Sequence, residues 1–179
     1  MFLNHAKDFS RVTQVAAPGL GPDLLMPGTM VETLRGWRPA GRIVAGTRLF
    51  TYDGGVAQVR RVDSVAGPGD AIRLPACAFG ADAETFLSPG QLVLVETGVA
   101  MTWLNMPVAL ARAEHLIGLS GVARRRAPST RLVRLVLDDE QVLFASTGLR
   151  LFSGSAATVE TSACYPVLTR DEVRELCAS

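Results

Sequence analysis

An all-β domain that ends in a short helix is the fold class that this sequence predicts. Three observations predict it. Short runs of β-branched and apolar residues alternate with Gly, Pro and Asp across residues 22–155. An Asp-Gly-Gly sequence at 53–55 joins two of these runs, and a helix-start signal lies near the carboxyl end at Thr169. The chain has 179 residues, which suffices for one hydrophobic core and is too short for two full domains.

Seven strands are expected, and the first hairpin among them follows from turn chemistry. The expected strands are 29–33, 48–52, 56–65, 71–74, 91–96, 131–137 and 141–144. Asp53, Gly54 and Gly55 supply the positive φ values that a tight turn between twisted strands requires. A second polar turn, 138–140, separates the last two runs and predicts a second hairpin.

Two segments favour helix. Residues 108–117 consist mostly of good helix formers. At the carboxyl end, Thr169 is followed three residues later by Glu172, which is the spacing of a capping box, and Leu168 and Val173 hold the positions of a hydrophobic staple. The sequence therefore predicts a second helix over residues 170–177.

Turn-forming composition also suggests the domain organisation. Residues 16–22 concentrate Pro and Gly, which interrupt helices and ladders alike. We expect a leader over residues 1–21, a β domain over residues 22–155, and a linker with the terminal helix over residues 156–179.

Charge and hydropathy exclude several classes of partner. Eighteen Lys and Arg oppose seventeen Asp and Glu, so no global field attracts nucleic acid or an anionic membrane surface. No apolar stretch reaches the ~20 residues of a membrane helix, and the amino end lacks the layout of a secretion signal. The sequence thus predicts a cytoplasmic protein, with secretion by a signal-independent route left open, whose partner, if it has one, is a peptide or protein.

No cofactor or metal site is expected. The three cysteines, Cys77, Cys164 and Cys177, are an odd number and form no Cys-x-x-Cys pair, and the two histidines, His5 and His115, are far apart. Other isolated features have ordinary interpretations. We expect a buried, inert thiol at Cys77 in its apolar run, a helix-surface imidazole at His115, and a solvated loop over the arginines at 124–126.

Four ordered segments carry more information than any of these features. They read LLMPGTMVET at 24–33, WRP at 37–39 leading to GTRLFTYDG at 46–54, FLSPGQLVLV at 86–95, and LVLDDEQVLFA at 135–145. In kind, order and spacing they resemble the Hint (Hedgehog/intein) domain, in its compact bacterial branch, over roughly residues 22–155. The resemblance implies a horseshoe of short twisted strands with a pseudo-twofold arrangement, whose first strand carries a nucleophile into a central cleft for an acyl shift on the chain itself.

Several motif positions depart from the family pattern. The family opens the first segment with a cysteine, which here is Leu24. The third segment ordinarily reads Ser-Pro-x-His; Ser88 is kept and Gln91 replaces the histidine. The fourth usually reads Asp-x-His; Asp138 is kept and Glu140 replaces the histidine. Leucine has no nucleophilic atom and glutamine exchanges no proton near neutral pH, so no residue is assigned a catalytic role.

Three hypotheses follow. The leading one is a Hint-fold domain that has lost self-processing and serves as a binding or structural module. In such a domain the polar residues at the motif positions either line a cleft for a peptide or small ligand or are ordinary turn and strand-end residues. These residues are Ser88, Gln91, Asp138 and Glu140. The alternative is a self-cleaving domain that performs its acyl shift with a rearranged nucleophile. The third is an unrelated, free-standing β-barrel interaction domain.

Overall fold

Short strands paired into three sheets make up most of the structure. The computed structural model describes residues 21–96, 107–155 and 164–177. Its strands are β1 (Leu24–Leu25), β2 (Met30–Thr33), β3 (Gly36–Pro39), β4 (Arg48–Thr51), β5 (Gly55–Gln58), β6 (Arg61–Ala66), β7 (Asp70–Leu74), β8 (Thr85–Leu87), β9 (Leu92–Glu96), β10 (Val108–Arg112), β11 (Ala123–Arg126), β12 (Arg131–Val136), β13 (Gln141–Phe144), β14 (Arg150–Ser153) and β15 (Val167–Leu168). One α-helix, α1 (Arg170–Cys177), follows them, and short 3₁₀ helices cover Ala40–Arg42 and Ala113–Leu116. The predicted all-β class with a carboxyl-terminal helix is confirmed.

The largest sheet has nine strands. Eight of them run in the order β15-β10-β9-β14-β13-β4-β2-β3, and β5 pairs with β4 beside this path. The predicted hairpin is present, since Thr51 pairs with Gly55 across the turn at 52–54. Of the three residues expected to have positive φ, only Gly55 does, at 74°, and the absence of a side chain at Gly54 leaves room for the end of the Gln141 side chain.

Two three-stranded sheets complete the architecture, in the orders β1-β12-β6 and β11-β7-β8. The expected single strand 56–65 is divided between sheets, because the chain leaves β5 at Val59 and enters β6 at Arg61. The Val59 N–H donates to the Thr47 carbonyl at 2.9 Å, and the Arg60 N–H donates to the Val136 carbonyl at 2.8 Å. Val59 is fully buried, so this crossing between sheets is part of the core.

The core forms where the sheets face each other. Its main cluster is drawn from all three sheets and includes Leu25, Leu49, Ile72 and Leu135. A second cluster, with Leu92, Leu110 and Phe152, lies on the opposite face of the nine-stranded sheet. Strands such as β9 and β10 are therefore buried on both faces and read as continuous apolar runs rather than alternating ones.

The prediction of a helix over residues 108–117 is wrong. Val108–Arg112 is strand β10, which pairs antiparallel with β9 and parallel with β15, and only the single 3₁₀ turn Ala113–Leu116 follows. Helix propensity is a weak preference worth a few tenths of a kcal/mol per residue. Ladder hydrogen bonds on both edges and burial on both faces outweigh it.

Three smaller expectations are also corrected. The polar turn at 138–140 does not close a hairpin, because β12 pairs with β1 and β6 whereas β13 pairs with β14 and β4. The arginines at 124–126 lie in strand β11 rather than in a loop, and Arg124 forms an ion pair with Asp70. Cys77 is exposed and has a positive φ of 68°, because the turn that it occupies directs it away from the core.

The carboxyl-terminal segment returns to the nine-stranded sheet. Tyr165 and Val167 pack against the second core cluster, and burial, together with the Asp53 carboxylate, raises the pKa of Tyr165 to about 12. The predicted capping box is present: the Thr169 N–H donates to Glu172 Oε2 at 2.6 Å. Val173 is fully buried, which fixes the helix against the body of the domain.

Residues 1–20 of the expected leader and residues 156–163 of the expected linker lie outside the described residues. Within the part of the chain that the structure describes, no helix is long and apolar enough to span a membrane.

The substitution Thr169→Ala should lower the free energy of unfolding by about 1 kcal/mol, because it removes the capping hydroxyl from α1. Denaturant titration followed by circular dichroism measures this. Thr130→Ala is the matched control, since Thr130 is exposed and its loss should cost less than about 0.5 kcal/mol. Equal effects of the two substitutions would contradict the role assigned to the cap.

His115 should make the stability depend on pH. Burial lowers the pKa of His115 below 6.5, although a hydrogen bond to the Leu168 backbone and the Glu114 carboxylate act in the opposite direction, and Arg112 and Arg170 add to the lowering. The unfolded state therefore takes up a proton first. This contribution to stability is complete above the unfolded pKa and is lost as the pH falls toward the folded pKa.

When the pH falls from about 7.5 to about 5.5, the free energy of unfolding of His115→Gln should therefore decrease less than that of the unmodified chain. The measurement is denaturant unfolding at both pH values. An identical loss in the two proteins would show that the imidazole does not contribute.

Candidate functional site

The centre of the site forms around the first strand, β1. β1 pairs antiparallel with β12, with Leu24 opposite Arg134. Because side chains alternate along a strand, Leu25 enters the main core while Leu24 packs in a separate cluster with Met26, Ala71 and Leu132. Leu24 is 2% exposed, so the position at which the sequence resemblance leads us to expect a nucleophile holds a buried hydrocarbon side chain.

Ser88 and Gln91 face this strand from the turn between β8 and β9. Ser88 Oγ donates to the Leu24 carbonyl oxygen at 2.8 Å. The Gln91 N–H donates to the Ser88 carbonyl at 3.1 Å, and the next N–H, that of Leu92, donates to the Pro22 carbonyl at 2.8 Å. These hydrogen bonds attach the residues on both sides of the Asp23–Leu24 peptide bond to one turn.

The Gln91 side chain is fully buried and bridges two strands. Its Nε2 group donates to the backbone carbonyls of Leu92 and Phe152, each at 2.9 Å. Only the amide nitrogen can satisfy two acceptors, so these partners fix the orientation of the group. Gln91 Oε1 is buried and has no hydrogen-bond partner, so the amide is satisfied on one side only.

Asp138 and Glu140 differ in their surroundings. Asp138 is exposed and accepts two hydrogen bonds from the Arg60 guanidinium, at 2.5 and 2.7 Å. This pairing lowers the pKa of Asp138. Glu140 is half-buried at the end of the same turn. The structure thus links Leu24, Ser88 and Gln91 by hydrogen bonds in the interior and places Asp138 in a surface ion pair.

A largely buried ion pair lies beside the Asp23–Leu24 bond. Arg134 Nε donates to Asp23 Oδ1 at 2.9 Å, and the Asp23 side chain is only 7% exposed. A side chain at Gly21 would collide with the Arg134 guanidinium, so glycine leaves room for it. No local pattern predicts this contact, since its two residues are far apart in the chain and meet through the β1–β12 pairing.

The family of the fold can now be identified. A family model of the Hint domain matches residues 24–150. The chain belongs to the Hint domain family. This assignment excludes the hypothesis of an unrelated β-barrel, and it places the start of the matched region at Leu24, where the structure buries the first strand.

Several solved structures also align with the chain. A splice-inactive variant of the AceL NrdHF class 3 split intein aligns with a TM-score of 0.51 at 13% identity, over 75% of this chain and 99% of its own. The Msm DnaB1 intein splicing domain, solved with zinc, aligns with a TM-score of 0.45 at 21% identity, over 73% and 99%. A bacterial intein-like domain from Clostridium thermocellum aligns with a TM-score of 0.42 at 12% identity, over 72% and 97%. No curated protein sequence matches the chain.

Gln91→Met should destabilise this Hint domain by roughly 1–3 kcal/mol, because it leaves the Leu92 and Phe152 carbonyls without their donor in a buried setting. Gln58→Met is the matched control on a half-buried strand position and should cost less than about 0.5 kcal/mol. Denaturant unfolding measures both. A neutral Gln91→Met would mean that the bridging hydrogen bonds do not stabilise the fold.

Proposed function

We propose that this Hint domain no longer cleaves itself and acts as a binding or structural module. The observation that carries the proposal is the state of Leu24. It stands where the family has its thiol, it has no nucleophilic atom, and it is buried among Met26, Ala71 and Leu132. An acyl shift needs a nucleophile beside the scissile carbonyl, and the side chain at this position is used for packing instead.

The hydrogen bonds of Gln91 support the same proposal. The family histidine at this position would assist by exchanging a proton, which is typically worth ~10²–10⁴ in rate. The amide of Gln91 exchanges no proton near neutral pH. Its two N–H groups are also committed to the Leu92 and Phe152 carbonyls, so the group supports the sheet.

The remaining polar residues are likewise engaged. Ser88 Oγ donates to the Leu24 carbonyl, which lies one residue beyond the Asp23 carbonyl that the family reaction would attack. Asp138 is neutralised by Arg60 at the surface. A rearranged nucleophile, the alternative function, would have to come from another side chain, and the nearby Ser88 hydroxyl would first have to give up its present hydrogen bond.

The bond between Asp23 and Leu24 should therefore be stable. The purified full chain, incubated with dithiothreitol or with hydroxylamine, should retain its full mass, because neither thioester nor ester forms for these reagents to intercept. Intact-mass spectrometry measures this. Release of residues 1–23 from the unmodified chain would overturn the proposal and favour the self-cleaving alternative.

A double substitution tests the assignment of the two replaced positions. Leu24→Cys with Gln91→His returns a thiol and an imidazole to the family's places. The matched control, Leu25→Cys with Gln91→His, moves the thiol one residue along the strand and to its other face. Thiol-dependent release of residues 1–23 from the first protein alone would show that these two side chains are what prevents the reaction.

A further inference from the structure

A pocket lies beside the site but excludes its residues. It has a volume of about 360 Å³ and opens between the turn that follows β1, the start of β8 and the segment that follows β13. Met26, Met30, Phe86 and Ala145 form its apolar lining. Leu24, Ser88, Gln91, Asp138 and Glu140 do not line it, so its contents need not involve the family's reaction centre.

One wall of this pocket is a strand with an open edge. Thr85 and Phe86 belong to β8, which among the described strands pairs only with β7. Alternate residues of a strand direct their N–H and C=O groups to opposite edges. The outer edge of β8 therefore presents backbone donors and acceptors next to the pocket, and such an edge readily accepts another extended chain.

The charge in the pocket lining is negative. Glu84 is the one charged residue among the lining residues. Both contacts from Arg73, at 2.8 and 2.6 Å, go to its Oε2 atom, which leaves Oε1 able to accept a further donor. Glu84 directly precedes β8, so a cationic side chain on an added strand would find a carboxylate at the end of that edge.

The opposite wall is held in place by the backbone. The Asp82 N–H donates to the Thr147 carbonyl at 2.7 Å. Gly148 has a positive φ of 80°, and a side chain there would lie 2.6 Å from the Gly80 carbonyl oxygen. The adjacent Thr147 hydroxyl is buried and has no hydrogen-bond partner. The backbone contacts of Asp82 and Gly148 thus shape this wall of the pocket.

We propose that β8 and this pocket bind an extended peptide segment. The segment adds to the open edge of β8, inserts one aliphatic side chain between Met26, Met30 and Phe86, and places a Lys or Arg two residues away toward Glu84, since positions two apart share a face of a strand. The inference rests on the proposed function, because it gives a binding role to a scaffold that has lost its own reaction.

The first test is an array of acetylated heptapeptides probed with the fluorescently labelled full chain. The parent peptide is Ser-Lys-Val-Leu-Val-Arg-Ser, in which the central leucine and both basic residues share one face. The array replaces the central residue by each other amino acid, and the basic pair by glutamate or serine. We expect signal for aliphatic centres with basic flanks, and at least about tenfold weaker binding in solution when the centre is serine or the flanks are glutamate.

Backbone methylation tests the strand addition. Only every second amide of an added strand can donate to β8. N-methylation should therefore abolish binding at every second position of the peptide and leave binding unchanged at the positions between them. Fluorescence anisotropy measures this. A uniform response along the peptide would overturn the proposed pairing with β8.

Variants of the chain locate the site. Ser146→Trp places a large side chain in the pocket wall and should abolish binding, whereas Val44→Trp, at a position that is 66% exposed and outside the pocket, should not. Glu84→Arg should reverse the preference, so that the glutamate-flanked peptide binds better than the parent. This exchange of specificity cannot result from misfolding, and circular dichroism melting checks that each variant is folded.

Absence of any preference in the array, or binding unchanged by both Ser146→Trp and Glu84→Arg, would overturn this inference. Intact mass recorded on the same samples separates it from the proposed function. A chain that stays whole but does not bind the peptides refutes the peptide site alone. A chain that releases residues 1–23 yet binds them refutes the loss of self-processing alone.

Discussion

The antiparallel pairing of β1 with β12 is the constraint on which the rest of the structure depends. It draws a two-residue strand into the interior, where Leu24 and Leu25 are each 2% exposed and belong to different clusters. Burial of two such side chains is worth about 1.5–3 kcal/mol each. The same pairing brings Asp23 to Arg134 and sets the Leu24 carbonyl against Ser88, so the position of the whole site follows from it.

Polar residues beside the first strand form structural hydrogen bonds. Ser88 and Gln91 are fully buried, and each donates to backbone carbonyls in the interior. A buried acceptor without a donor costs about 1–3 kcal/mol, which is reason enough to keep a polar side chain at both positions. Asp138 illustrates the contrast, because its ion pair with Arg60 lies in solvent, where such pairs contribute little.

Leu24 and Ser88 lie only a short distance from the pocket along the same elements. The turn after β1 carries Met26 into the pocket two residues after Leu24, and β8 ends one residue before Ser88. A segment that binds β8 would consequently contact the elements that hold the first strand in place. Peptide binding and the stability of the β1–β12 pairing should therefore be coupled, as any ligand of the folded state is.

Local chemistry by itself determined the fold class, about half of the strands, the hairpin turn that ends at Gly55 and the capping box at Thr169, because turn dihedrals, β-branched runs and caps depend on residues a few positions apart. The four ordered segments resembled the Hint domain family, and the family match over residues 24–150 confirmed that resemblance. The tertiary structure decided that 108–112 is a strand and that Cys77 is exposed. It also decided the Asp23–Arg134 pair, the bridging role of Gln91 and the pocket beside β8. These features depend on strands that are distant in sequence, whose pairing and burial outweigh the weak local propensities that a sequence displays.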